Sequence, residues 1–173
     1  HHTSGMRDYL DVMSIVGWPY EDMITDRDIV RIVAQQASLN FRPGEEYTYS
    51  NSGYMMLGVI VKRVTGSSLG EFAAREIFAP LEMNSSLFYE DRTAIIPNRA
   101  TGYAGDEDGG FRQVHNYNFA VAGDGQLYTT VGDLLLWNRE LDRPRVWEPH
   151  FAKMMLTRGM LDNGESIDYA FGL

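Results

Sequence analysis

The stretch that most constrains how this chain can fold runs from Phe41 to Gly66. A polar, aromatic loop, Phe41-Arg42-Pro43-Gly44-Glu45-Glu46-Tyr47-Thr48-Tyr49-Ser50-Asn51-Ser52-Gly53-Tyr54, turns into a segment in which Tyr54, Leu57, Val61 and Val64 recur at helical spacing. That period predicts a helix with one apolar face. Lys62 and Arg63 near its end and Gly66 just beyond are stop signals, because cations suit the C-terminal pole of a helix and glycine takes the left-handed cap. At the junction stand Tyr49, Ser50 and Asn51. A phenol, a hydroxyl and an amide offer one titratable proton carrier and two neutral hydrogen-bonding groups where a Pro-Gly turn gives way to a helix. Two readings are open: a reaction centre, or an ordinary helix start in which Ser50, Asn51 or Ser52 is the N-cap.

Around this stretch the chain reads as predominantly α with short β strands. Asp8 to Tyr20, broken by Gly17 and Pro19, predicts a short helical piece and a loop. Thr25 and Asp28 form a capping box, and Ile29, Ile32 and Val33 extend one face of a helix from Asp26 to about Ala37. Ser68 and Glu71 form a second box, opening a helix that runs to about Ala79, where Pro80 prevents continuation. From Leu81 to Val121 the helical period disappears, and apolar clusters at Ser86 to Tyr89 and Phe111 to Val114 predict short strands around turns. Thr130 and Asp133 cap a helix bearing Leu134, Leu135, Trp137 and Leu141, which halts near Pro144. A last helix starts with Pro149 and ends by Gly159, and it is expected to bury Phe151, Met154 and Met155.

The chain has 173 residues, about one domain's worth, and at that size roughly 70% of the unfolded surface can be buried. A net charge of −9 with only two lysines, Lys62 and Lys153, argues against a nucleic-acid surface, which needs clustered cations to hold phosphates. No apolar run approaches the ~18 residues of a membrane span. The absence of cysteine excludes disulfides, zinc-thiolate sites and thiol nucleophiles. The sequence starts without a Met or a leader and stops at Phe171-Gly172-Leu173 in what reads as the beginning of a strand, so both ends are expected to be interior to a longer domain. His1-His2-Thr3-Ser4-Gly5 also has the look of a purification-tag remnant.

Taken together, several short motifs occur in a telling order. They are His2-Thr3-Ser4-Gly5, Pro43-Gly44, Tyr49-Ser50-Asn51, Val64-Thr65-Gly66, Phe78-Ala79-Pro80-Leu81-Glu82-Met83, Thr101-Gly102-Tyr103 and Ala122-Gly123-Asp124-Gly125-Gln126-Leu127-Tyr128-Thr129-Thr130. In this order and over nearly the whole chain they resemble the class C β-lactamase group, which takes in serine β-lactamases, DD-peptidases and β-lactamase-like esterases. Asp124 departs from it, since the family usually reads Ala-Gly-Gly there. The resemblance implies the helical lobe of the α/β serine β-lactamase and penicillin-binding-protein fold, lacking most of the central sheet. It implies that Tyr49 is the tyrosine that helps move the nucleophile's proton, and that Asn51 hydrogen-bonds substrate or the catalytic lysine. It also implies a β-lactam, D-Ala-D-Ala peptide or ester substrate, no cofactor, and a periplasmic, secreted or membrane-anchored parent.

One departure decides what these 173 residues can do alone. The residues three positions before Lys62 and Lys153 are Val59 and His150, so the Ser-x-x-Lys nucleophile motif is absent, as is the later Lys-Thr-Gly or His-x-Gly strand. The expectation is a segment of a serine hydrolase whose nucleophile lies outside it. The alternative is a non-catalytic helical binding module of the same ancestry. Two competing motifs need weighing. Gly66-Ser67-Ser68-Leu69-Gly70 matches the Gly-x-Ser-x-Gly elbow, but the elbow needs a preceding strand, and here a helix precedes it while Ser68 has a capping role. Asp106-Glu107-Asp108-Gly109-Gly110 opens like a calcium loop, yet the twelfth position is Tyr117 rather than Glu, which predicts a solvated turn. His1, His2 and Asp8 at the chain start, and His115 and His150 further on, lack metal-ligand spacing. Trp137, Met154 and Met155 are read as core rather than as a cofactor pocket.

Overall fold

The computed structural model describes residues 1–19, 22–114, 119 and 121–173, so His115 and Tyr117 lie outside the described residues. Within them helices dominate the regular structure: α1 Tyr9–Ile15, α2 Asp26–Ala34, α3 Asn51–Thr65, α4 Leu69–Ala73, α5 Val131–Asp142 and α6 Pro149–Met155. Two antiparallel pairs complete it: β1 Leu87–Phe88 with β4 Leu127–Tyr128, and β2 Gly102–Gly105 with β3 Phe111–Val114. Leu87 lies opposite Tyr128 and Gly102 opposite Val114.

Most helix starts follow from local chemistry. Thr25 and Asp28 close a reciprocal capping box on α2, and Ser68 with Glu71 does the same for α4. Thr130 accepts from the Asp133 N–H at the head of α5, and Pro149 takes the first turn of α6, where its missing N–H has no helical partner to lose. α2 stops at Ala34, three residues before the expected end, with Gln35 as its C-cap. α4 is also shorter than the periodicity predicts. Its continuation, Ala74–Phe78, widens into a π-helical turn, and the Ala79 N–H reaches back five residues to the Ala74 carbonyl at 2.9 Å. The acidic turn between β2 and β3 spends its own carboxylate: Asp106 Oδ1 accepts from the N–H groups of Asp108 (3.1 Å) and Gly110 (2.7 Å).

The burial faces of three helices differ from the expected ones. α3 buries Ser52, Met55 and Gly58, while Leu57 is 54% and Val64 80% exposed. The reason is close approach by small residues. A Cβ added at Gly58 would lie 2.6 Å from the Ala122 carbonyl oxygen, so the face with least side chain meets the 121–123 segment. In α6 the buried residue is Ala152, with Phe151 and Met154 exposed. α5 turns Asp133, Glu140 and Leu141 inward and leaves Leu134 and Leu135 out. Trp137 is partly buried, as expected of a core residue.

Packing is divided between two clusters. Tyr9, Met13, Ile24, Ile29, Met55 and Val121 join α1, α2 and α3, with Trp18, Ile32 and Val33 at the margin. Ala73, Phe78, Leu81 and Met83 form the second cluster, against which Phe88, Leu136, Trp137 and Trp147 pack. The first cluster lies directly behind the start of α3. Burial of side chains this size stabilises by about 1.5–3 kcal/mol each, enough to hold that helix start in one place.

Candidate active site

Three stretches converge on Tyr49-Ser50-Asn51: the opening segment from His1 to Tyr9, the loop before α3, and the chain end near Tyr169. The first two are zipped by backbone hydrogen bonds from Asn40 N–H to the Gly5 carbonyl (2.8 Å), Gly44 N–H to Thr3 (2.9 Å) and Thr48 N–H to His2 (3.1 Å). Gly5 has a φ of 69°, and a Cβ there would collide with the Phe41 carbonyl, so the crossing needs glycine.

Ser50 occupies the N-cap position of α3, but its Oγ has no hydrogen-bond partner and does not cap the helix. A carboxylate from the opening segment does that work. Asp8 Oδ2 accepts from Asn51 N–H at 2.6 Å and from Asn51 Nδ2 at 2.8 Å, while Oδ1 accepts from Leu10 N–H at 2.9 Å as the N-cap of α1. One side chain thus satisfies the first turns of two helices, where free N–H groups and the helix dipole both favour an anion. Ser52, fully buried, completes the seam. Its Oγ donates to the Arg7 carbonyl (2.7 Å) and accepts from Tyr9 N–H (2.9 Å).

Tyr49 points outward, with 56% of its surface exposed, and its ring rests 4.3 Å from the imidazole of His2. His2 is only 7% exposed and is also ringed by Tyr54 (4.9 Å), Tyr169 (4.7 Å) and Tyr47 (6.1 Å). Its Nδ1 accepts from Ser50 N–H at 3.1 Å, which requires that nitrogen to be unprotonated, and its Nε2 is buried without a partner. Burial lowers the imidazole's pKa below the ordinary histidine value, against an upward pull from Asp8. Burial likewise pushes the Tyr54 phenol up, helped by its hydrogen bond with Tyr169. Behind the site, the buried Tyr9 hydroxyl donates to Asp124 Oδ2 at 2.7 Å, and burial raises the Asp124 carboxyl above its usual range. A cavity of about 360 Å³, lined by His2, Ser4, Met6, Tyr54, Leu57 and Ile60, opens beside this cluster, and Tyr49 is not part of its lining.

Of the residues singled out from sequence, Tyr49 and Asn51 flank Ser50 at the start of α3, Tyr49 lying against His2 and Asn51 bonded to Asp8. Ser68 is elsewhere. Its Oγ donates to Glu90 Oε2 (2.6 Å) and accepts from Glu71 N–H (3.2 Å), and helix α3 precedes it where an elbow requires a strand. His1 Nδ1 faces the carbonyl oxygens of Tyr169 and Ala170. His150 lines a separate apolar groove with Trp137, Trp147 and Phe151. The sequence offers Asp8 only as a metal ligand, and His2 as a metal ligand, a tag residue or part of the opening motif; it gives neither its bracing role, and Tyr9 and Tyr169 go unnoticed in it. Only Asp8 carried a local signal, as an acid directly before a helical segment.

A polar, aromatic loop feeding α3 through Ser50 and Asn51, propped by the opening His-Thr-Ser-Gly segment, agrees with the resemblance to the serine β-lactamases and penicillin-binding proteins. The beta-lactamase family model matches residues 1–173, and the chain belongs to that family. It is 30% identical over 173 residues to a D-aminopeptidase of Gluconobacter oxydans, covering 100% of this chain and 33% of the relative. It is 29% identical over 189 residues to penicillin-binding protein 4* of Bacillus subtilis, covering 99% and 41%. Among solved structures it resembles a penicillin binding protein from Bacillus halodurans with a TM-score of 0.80 and 27% identity, covering 99% of this chain and 52% of that one. The chain therefore spans well under half the length of these curated relatives.

Proposed function

We propose that these residues form the Tyr-x-Asn wall of a serine hydrolase active site, within a helical lobe whose nucleophile, a Ser-x-x-Lys serine, lies outside the 173 residues. Tyr49 carries the nucleophile's proton, Asn51 hydrogen-bonds the substrate, and the reaction runs through an acyl-enzyme. The observation that carries this reading is the placement of Tyr49: its phenol is open to solvent while its ring is fixed on His2 and its neighbours are pinned by Asp8 and His2. A positioned proton carrier next to a rigid helix start is what a general base or acid needs. The relatives named as a D-aminopeptidase and a penicillin-binding protein favour amide or peptide bonds over simple esters, with β-lactams as mechanism-related substrates.

The test is acylation. In the full-length protein a fluorescent penicillin or a fluorophosphonate adds one label, mapped to a Ser-x-x-Lys serine. The isolated 173-residue chain takes none. A stoichiometric adduct on Ser50 or Ser68 overturns the reading, and so does a full-length protein that hydrolyses neither an amino-acid anilide, a cephalosporin nor an activated ester.

A further inference from the structure

We infer that His2 is a positioning residue for Tyr49: it grips the backbone on both sides of the tyrosine, supports its ring, and so aims the phenol. This deepens the active-site reading above and rests on it. The carbonyl of His2 accepts from Thr48 N–H at 3.1 Å, and its Nδ1 accepts from Ser50 N–H, also at 3.1 Å. Tyr49 is the single residue between two bonds to one partner, so its backbone cannot turn without breaking one of them. The imidazole then meets the side chain, its centroid 4.3 Å from that of the Tyr49 ring and the two planes 33° apart. Only two side-chain torsions separate the backbone from the phenol, and contact along the ring restrains both.

The clamp is itself held in place. His2 is buried, and its ring is flanked by Tyr54 from α3 and by Tyr169 from near the chain end, whose phenols share a hydrogen bond. Its backbone lies in the left-handed region, at φ 56°, a conformation that is uncommon for any residue with a side chain and that persists where the surroundings over-determine it. In that conformation the carbonyl reaches Thr48 while the ring reaches Ser50 and Tyr49. A histidine that only filled space would need neither the strained backbone nor the second bond. Aim matters to the chemistry, because a proton carrier must stand within hydrogen-bond reach of the group it serves, and misplacement by about 1 Å can cost about a hundredfold.

A double-mutant cycle in the full-length protein tests this, with kcat and KM measured on whichever of an amino-acid anilide, a cephalosporin and an activated ester it turns over fastest. His2→Asn puts an acceptor oxygen where Nδ1 stands and suits a left-handed backbone, but removes the ring. His2→Phe, which keeps a ring and gives up the acceptor, carries the same cycle if His2→Asn melts below the assay temperature. Either change is expected to lower kcat by roughly ten- to a hundredfold and to leave KM within about threefold. In the Tyr49→Phe background, where no phenol is left to aim, the same change should cost no more than about threefold, the signature of one residue acting through another. A histidine that merely held the loop together would lower kcat as much without the phenol as with it. An unchanged kcat, a loss that falls on KM alone, or losses that multiply in the double variant each overturn the inference. If Tyr49→Phe by itself leaves kcat unchanged, the active-site reading has failed and His2 has nothing to aim, whereas a large Tyr49 effect with multiplying losses sinks only the role of His2.

Discussion

The backbone N–H of Ser50 donates to Nδ1 of His2 across 3.1 Å, joining the loop before α3 to a histidine 48 residues earlier in the chain. The bond exists only while Nδ1 is unprotonated. Protonating His2 would set two donors face to face inside a ring of tyrosines.

Stability should therefore depend on pH through His2. In the unfolded chain the imidazole titrates near its ordinary value of about 6.5, while burial lowers the folded value. Above about 6.5 both states are neutral and the contribution is complete. As pH falls below it the unfolded chain takes up a proton that the folded one refuses, and stability declines until the folded value is passed. Melting temperatures at pH 7.5 and 5.5 should fall further apart for the unmodified protein than for His2→Gln, which can still accept from Ser50 N–H but does not titrate. Equal slopes for the two proteins would show that His2 is not the group responsible.

Ser68→Ala should cost about 1 kcal/mol, the usual value of a lost N-cap. Its hydroxyl accepts from Glu71 N–H and donates to Glu90, whose other oxygen takes the Gly70 N–H at 3.2 Å. Turnover by the full-length protein should be unchanged. Loss of turnover with an unaltered denaturant midpoint would restore Ser68 as the nucleophile.

How much of this was legible depends on the range over which each feature is encoded. The capping boxes Thr25/Asp28 and Ser68/Glu71 and the Gly66 stop of α3 are written within a few residues, and each is present as read. The face of α3 was not legible from periodicity, because the apolar stripe through Leu57 and Val64 is not what packs; Ser52 and Gly58, which hydropathy ignores, allow the close approach. The π-helical turn left no pattern. The sequence puts the cap of α3 on Ser50, Asn51 or Ser52; Ser50 takes the position, but the group that accepts the hydrogen bond is Asp8, 43 residues away, and no local rule reaches that far. Motif order brings out Tyr49, Asn51 and the opening His2, while the contacts by which His2, Asp8 and Ser52 brace this helix start emerge only from the tertiary structure.

Glu140 is a buried anchor with no sequence signal at all. Its carboxylate accepts from the N–H groups of Arg145 (2.9 Å), Val146 (2.8 Å) and Trp147 (2.7 Å), folding the loop after α5 onto the helix. Burial alone would raise its pKa, but the three donors outweigh that and hold it below the ordinary carboxylate value. Glu140→Gln keeps the shape and weakens every bond, so a loss of about 1.5–3 kcal/mol is expected from urea denaturation. The stabilisation is complete above the unfolded carboxylate value of about 4.3 and disappears as pH falls through the lower folded value. A Glu140→Gln midpoint within error of the unmodified protein would show the nest to be unimportant.

The sharpest expectation concerns Tyr49. Its ring sits 4.3 Å from that of His2, and the phenol is exposed, so Tyr49→Phe removes one oxygen while keeping the ring contact. The melting temperature should scarcely move. If the phenol relays the nucleophile's proton, kcat of the full-length protein should fall by roughly 10² to 10⁴, the usual size of a positioned acid or base. Asn51→Ala should behave differently, because it removes a hydrogen-bonding group and not a proton carrier. Its loss is expected to be smaller and divided between KM and kcat, with some stability lost as well, since Asp8 then faces Asn51 Nδ2's empty place with only the backbone N–H to hold. Measuring kcat and KM for both variants on an amino-acid anilide, a chromogenic cephalosporin and an activated ester, beside their melting curves, separates the roles. Should Tyr49→Phe retain near-native kcat on every substrate the full-length protein turns over, Tyr49 does no more than lead the chain into α3, and the proton must travel by another group.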